Sequence, residues 1–171
     1  RHTLHFSGAI YILYCYSINK EKFPRLTVFS VGELNHSFII WCEYMSDRPV
    51  VLVVEDDLEM NQLQCELLDV YGFDSQAAYT GAQALDLCDE ETTDAVLLDL
   101  MLPEIDGYET CRRLKSQSST DKLPVVMITA MDSDDCRQRG MDAGADAYFT
   151  KPFDPDQVIS TLQLLIGANG G

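Results

Sequence analysis

Between residues 49 and 166 the pattern of apolar and polar positions switches repeatedly between strand-like runs and helical spacing, and it predicts five strand and helix pairs. The first strand, Val50 to Val54, is apolar throughout and stops on Glu55-Asp56-Asp57. A strand with no polar alternation is covered on both faces, which points to a parallel sheet with helices on each side. A helix over about 58–71 follows, with Met60, Leu63, Leu67 and Val70 at helical spacing and Gly72 where the chain must leave it. Residues 73–79 read as a weaker second strand. Thr80-Gly81-Ala82-Gln83 then has the form of a capping box, ahead of a helix whose apolar face is Ala84, Leu85, Leu87 and Cys88.

The third strand, Ala95 to Leu98, stops on Asp99, and Pro103 and Asp106-Gly107 force the chain out of strand geometry. Asp106 and Glu109 bracket the start of the third helix, which carries Tyr108, Cys111 and Leu114 until residues 116–119 loosen it. Residues 123–130, LPVVMITA, form the fourth strand, with the proline at its entrance where no ladder donor is lost. A polar helix over about 134–143 ends at Gly144, and the fifth strand, residues 145–150, ends at Lys151-Pro152-Phe153. Asp154 with Pro155 directly after it starts the last helix, whose stripe is Val158, Leu162 and Leu165. Strands and helices in this order imply right-handed crossovers. The fold class is α/β, a five-stranded parallel sheet with helices on both faces.

Parallel strands deliver their carboxyl ends to one edge, where ligands and chemistry sit in such sheets. That edge receives Glu55 and Asp56 from the first strand, Asp99 from the third, Thr129 from the fourth and Lys151 from the fifth. Each alone has a bland reading: acids as loop residues, Thr as a strand former, Lys as a solvated charge. Four strand ends agreeing is harder to explain that way. Three carboxylates brought within a few ångströms repel and raise one another's pKa unless a cation sits among them. Oxygen-only ligands with no His or Cys at hand select a hard ion, and a small site shared with water and phosphate suits Mg2+. Asp99 can then act as a nucleophile on a phosphoryl group, with Lys151 neutralising its oxygens and the Thr129 hydroxyl donating to another.

Composition divides the chain. Of 171 residues, the first 44 hold all three histidines and nine of the sixteen aromatics, and carry a formal charge of +1; residues 45–171 carry −17. The overall charge of −16 repels a phosphate backbone or an anionic membrane, which argues against direct nucleic-acid binding and against membrane association. Cys15, Cys42, Cys65, Cys88, Cys111 and Cys136 show no C-x-x-C pair, so they read as reduced core thiols in a cytoplasm. Met45 is the first methionine and leads straight into the first strand. Residues 1–44 are therefore expected to be an N-terminal extension outside the domain, read from upstream of the true start. The apolar run of residues 8–16 is far shorter than the ~20 residues of a membrane span, and its flanks suit a signal peptide poorly. Intact-mass measurement of natively expressed protein decides that point.

The succession VLVVEDD, LLDLMLPEIDG, VVMITA and AGADAYFTKPF resembles the receiver domain of two-component response regulators, across essentially all of residues 49–166. The resemblance implies a flavodoxin-like strand order 2-1-3-4-5. It also implies roles: Glu55 and Asp56 as the acidic pair that holds Mg2+, Asp99 as phosphoacceptor, Met101 as donor of a backbone carbonyl to the metal, Thr129 and Tyr148 as the switch pair, and Lys151 as the phosphate-binding lysine. A histidine kinase or histidine-phosphotransfer protein would supply the phosphoryl group, and the chain would catalyse only its own phosphorylation and dephosphorylation. Phosphorylation would draw Thr129 inward, let Tyr148 turn toward the vacated space, and shift a two-state equilibrium on the face of the fourth helix, fifth strand and fifth helix. Tyr148 also reads plainly as a half-buried strand aromatic.

Met101 and Met131 fall two residues past Asp99 and Thr129, positions from which polar side chains can orient water, and no thioether does so. A long-lived phosphorylated state is expected. Rival readings fare less well. An Asp-nucleophile phosphatase of the haloacid dehalogenase kind usually needs a second aspartate where Met101 stands, and a flavin mononucleotide site would want amide donors where Glu55-Asp56-Asp57 repel phosphate. A non-phosphorylated interaction module uses the fold alone, and the full set of acids, Thr and Lys argues against it. After the last helix only four residues remain, consistent with a stand-alone, chemotaxis-regulator-like receiver or with a chain cut at a linker.

Overall fold

The structure, a computed structural model, describes residues 3–6, 9–12, 48–90 and 92–169. The chain divides into two compact units, residues 1–46 and 47–171. In the first, β1 (Thr3–Phe6) pairs antiparallel with β2 (Ala9–Ile12), Thr3 opposite Ile12 and Phe6 opposite Ala9. Two residues separate the strands, the commonest hairpin spacing. The sequence reading had no element here. Cys15, Cys42, Met45 and most of the apolar run over 8–16 lie outside the described residues.

The second unit holds β3 (Val50–Val54), α1 (Leu58–Val70), β4 (Asp74–Ala78), α2 (Gly81–Glu90), β5 (Ala95–Leu98), α3 (Gly107–Ser116), β6 (Val125–Thr129), α4 (Asp134–Asp142), β7 (Ala147–Thr150) and α5 (Pro155–Asn169). Its five strands are parallel in the order β4-β3-β5-β6-β7. That is the expected 2-1-3-4-5 order.

Alternation along the strands builds two cores. Leu52, Val54, Val96, Leu98 and Met127 face α2, α3 and α4 through Ala84, Tyr108, Cys111 and Leu114. Val51, Val53, Leu97, Val126 and Ile128 face α1 and α5 through Leu68, Val158, Ile159 and Leu162. Burial on both faces explains why β3, β5 and β6 carry almost no polar residues. Asp57, Asp106 and Ser133 accept backbone N–H bonds at the starts of α1, α3 and α4. The Thr80 hydroxyl accepts from Gln83 N–H, and the Gln83 side chain reaches back to Tyr79 N–H, one residue before the cap. Gly144 closes α4 in the left-handed region at φ 98°.

Helix α1 departs from the apolar stripe expected of it. Leu63 is 58% exposed and Val70 80%, while the buried face is Asn61, Gln64 and Leu68, one residue further round. The reason is what α1 covers. Its first turns lie over the carboxyl end of the sheet, where strand carbonyls need donors, and the Asn61 side-chain amide donates to Val53 O, Glu55 O and Ala78 O at 3.3, 3.2 and 3.0 Å. An apolar residue there would leave those carbonyls without that donor. Among the described residues no helix is long and apolar enough to cross a membrane.

Candidate functional site

The parallel register brings the strand ends together. Val54 pairs with Leu98, so Asp99 is the next residue at the edge, and its N–H donates to Val54 O at 2.9 Å. Glu55 N–H donates to Ala78 O at 3.1 Å, tying the other side of that strand end to β4. Thr129 pairs with Thr150, and Lys151 N–H donates to Thr129 O at 2.8 Å, carrying the lysine to the same edge.

Lys151 sits between the two acids. Its Nζ donates to Glu55 Oε2 at 2.6 Å and to Asp99 Oδ2 at 2.5 Å, with all three side chains largely buried. Burial raises the Glu55 carboxyl above its usual range; the Lys151 hydrogen bond opposes this, and the negative charge of Asp99 adds to it. Burial pulls the Lys151 ammonium down, but hydrogen bonds and charge from Asp99 and Glu55 outweigh it and hold the group above its ordinary value. One ammonium shared by two carboxylates leaves one negative charge in excess. Asp99 Oδ1 accepts from Met101 N–H at 3.1 Å, so both oxygens of Asp99 have donors.

Asp56 does not join them. It is exposed, and among the described residues no three acidic, cysteine or histidine side chains group closely enough to hold a metal ion. Two of the three carboxylates expected at this edge therefore meet around Lys151, and Asp56, next to Glu55 in the chain, has its side chain in solvent. The donors still suit a hard divalent cation. They are all oxygen, carry excess negative charge, and include in Glu55 a buried acid whose ionised form lacks full compensation.

Thr129 is fully buried, and its hydroxyl accepts from Met131 N–H at 3.3 Å. Tyr148 is buried, and its hydroxyl donates to Met131 O at 2.8 Å. Tyr148, expected to turn inward on phosphorylation, is already inside, and its hydroxyl and that of Thr129 both bond to the Met131 backbone. Arg137 packs 5.0 Å over the Tyr148 ring and donates to its carbonyl at 2.8 Å. Met101 is 64% exposed beside Asp99.

Two residues at this edge escaped the sequence reading, Asn61 and Gln64. Gln64 is buried, and its Nε2 lies 3.3 Å from Glu55 Oε2. The available signal was a cluster of amides, Asn61, Gln62 and Gln64, one turn into the helix that follows the acidic run.

Comparison with known proteins agrees with this geometry. The family profile of the response regulator receiver domain matches residues 51–163. The DNA-binding dual master transcriptional regulator RpaA of Synechocystis sp. is 36% identical over 118 residues, covering 69% of this chain and 49% of that protein; the chain thus spans about half the length of this relative. The receiver domain of the Francisella response regulator 1452 superposes with a TM-score of 0.67 at 31% identity, over 71% of this chain and 99% of that one. The receiver domain of the sensor histidine kinase PA1611 from Pseudomonas aeruginosa, solved with a magnesium ion in its active-site cleft, gives 0.64 at 30% identity, over 70% of this chain and 98% of that one. Strand order, the acid and lysine cluster at the sheet edge and these likenesses agree: the chain belongs to the response regulator receiver family, whose members serve phosphorelay signalling as phosphoacceptors rather than as classical enzymes.

Proposed function

We propose that Asp99 of this chain takes a phosphoryl group from the phosphohistidine of a histidine kinase or histidine-phosphotransfer protein. The observation that carries the reading is Lys151 Nζ set 2.5 Å from Asp99 and 2.6 Å from Glu55. A carboxylate oxygen of Asp99 attacks phosphorus, the P–N bond breaks, and the imidazole nitrogen leaves with the bonding pair. Lys151 neutralises oxygens of the transferring group, and Thr129, released from Met131 N–H, donates its hydroxyl to another. Glu55, Asp56, Asp99 and the backbone carbonyl of Met101 would hold Mg2+, which supplies further positive charge to those oxygens when bound. The catalysis is confined to the chain's own phosphorylation and dephosphorylation.

Movement of Thr129 disturbs the Met131 backbone, to which Tyr148 is also bonded, and so biases the face of α4, β7 and α5 toward a protein partner. The receiver unit in this reading is residues 45–171. Its charge of −17 weighs against direct contact with nucleic acid, and its unpaired thiols suit a cytoplasmic setting.

Incubation with acetyl phosphate and Mg2+, followed by intact-mass measurement, tests the assignment. Wild type gains one phosphoryl group and Asp99→Asn gains none; equal gain by both, or gain by neither, overturns it. The exposed thioether of Met101 gives an attacking water no hydrogen bond. Met101→Asn therefore speeds loss of label by about tenfold, followed by phosphate release from purified phosphoprotein, and an unchanged rate contradicts the long-lived state.

A further inference from the structure

Gln64 is buried on the face of α1 that turns to the sheet edge, one residue round from the apolar stripe the sequence predicts, and its donor points at an acid of the site. Burying a primary amide is unfavourable unless its N–H groups are used. Gln64 Nε2 lies 3.3 Å from Glu55 Oε2, the oxygen that also takes Lys151 at 2.6 Å. One turn earlier, Asn61 bonds Glu55 O and the carbonyls of Val53 and Ala78, which fixes α1 against the strand end and makes the reach of Gln64 a rigid one. Between them the two amides engage both the backbone and the carboxylate of Glu55.

We propose that Gln64 is a positioning residue for the acidic pair: it holds the Glu55 carboxylate toward the site and remains its donor when Lys151 turns to a phosphoryl group on Asp99. The inference rests on the phosphoacceptor reading. The ammonium is shared by two carboxylates, and a phosphoryl dianion on Asp99 competes for it. Glu55 is then left, deeply buried, with the amide of Gln64. A neutral donor suits that place. A fixed cation there would cancel the charge that attracts a divalent ion, and an apolar side chain would leave the buried carboxylate without that donor.

The test uses Gln64→Met, which keeps an unbranched side chain of similar length and removes the N–H, beside wild type and the exposed-site control Leu63→Ala. Isothermal titration with Mg2+ alone, and the Mg2+ concentration giving half-maximal labelling by acetyl phosphate, are both read. Loss of a hydrogen bond to a metal-binding carboxylate weakens Mg2+ about tenfold in Gln64→Met, while the labelling rate at saturating Mg2+ falls less than about threefold. Leu63→Ala matches wild type in both. If Gln64→Met does not fold, Gln64→Asn, which withdraws the amide by one methylene, carries the same expectation. A purely structural role lowers the urea midpoint and leaves the Mg2+ affinity at the wild-type value, and that result overturns the proposal. Failure of wild type itself to bind Mg2+ or to label on Asp99 instead refutes the phosphoacceptor reading and takes this inference with it.

Discussion

Replacing Lys151 with methionine lowers stability by about 3 kcal/mol at pH 8 and abolishes labelling of Asp99. The stability loss comes from what remains: two carboxylates, Glu55 and Asp99, in a largely buried site with no ammonium between them. Breaking a buried pair by removing one partner is far more damaging than the pair's net contribution, since the surviving charge keeps its desolvation penalty. The effect depends on pH with a definite sign. Glu55 already has a folded-state pKa above its unfolded value, so the folded form binds a proton more readily and stability falls as pH rises through the interval between the two. Loss of Lys151 raises that folded value further and widens the interval. The deficit relative to wild type therefore grows as pH rises above the ordinary carboxylate range and shrinks on acidification. Urea unfolding at several pH values, with and without Mg2+, reads it. A deficit independent of pH would mean that Lys151 matters for packing rather than charge, and would remove the electrostatic basis of the site.

What the sequence disclosed and what it hid follow from different physics. Asp99 and Lys151 lie 52 positions apart, yet their meeting was legible, because parallel strands leave only one edge for residues that directly follow them. Apolar runs such as VVLVV mark strands buried on both sides, and the observed β4-β3-β5-β6-β7 order agrees with the family resemblance. The face of α1 was not legible. Hydrophobic periodicity assumes that a helix packs on an apolar surface, and the first half of α1 packs on carbonyl oxygens and an acid, so Asn61 and Gln64 turn inward and Leu63 outward. Nor could spacing reveal that Thr129 and Tyr148 both bond to the Met131 backbone, since that depends on rotamers and not on position in the chain. Asp56 illustrates the converse. Adjacency to Glu55 in a run of acids gave no sign that the two side chains differ so much in burial, Glu55 inside and Asp56 in solvent.

The second large effect is expected at a residue with no functional group. Gly107 begins α3, and its N–H donates to Leu100 O at 3.1 Å, so the helix start is pressed onto the chain just past Asp99. A Cβ at Gly107 would fall inside van der Waals contact with Asp99 O, 2.7 Å from Leu100 Cα and 3.0 Å from Asp99 C. All three are backbone atoms, so no rotamer change relieves the clash; either α3 or the end of β5 must move. Gly107→Ala accordingly costs about 2–3 kcal/mol in urea unfolding, the upper part of the range for overpacking, because backbone and not side chains must yield. A shift of β5 carries Asp99 away from Lys151, and misplacement by about 1 Å lowers the rate of labelling by acetyl phosphate about 100-fold. Gly167→Ala is the matched control, because nothing lies within 4 Å of a Cβ there and helix propensity favours alanine. Rates are compared at a temperature where both variants are fully folded, so that lost activity reports displaced geometry and not unfolded protein. If Gly107→Ala loses stability but labels at the wild-type rate, α3 has yielded and the strand end has not, and the position of Asp99 is then set by the pairing of β5 with β3 and β6 and not by the packing of α3.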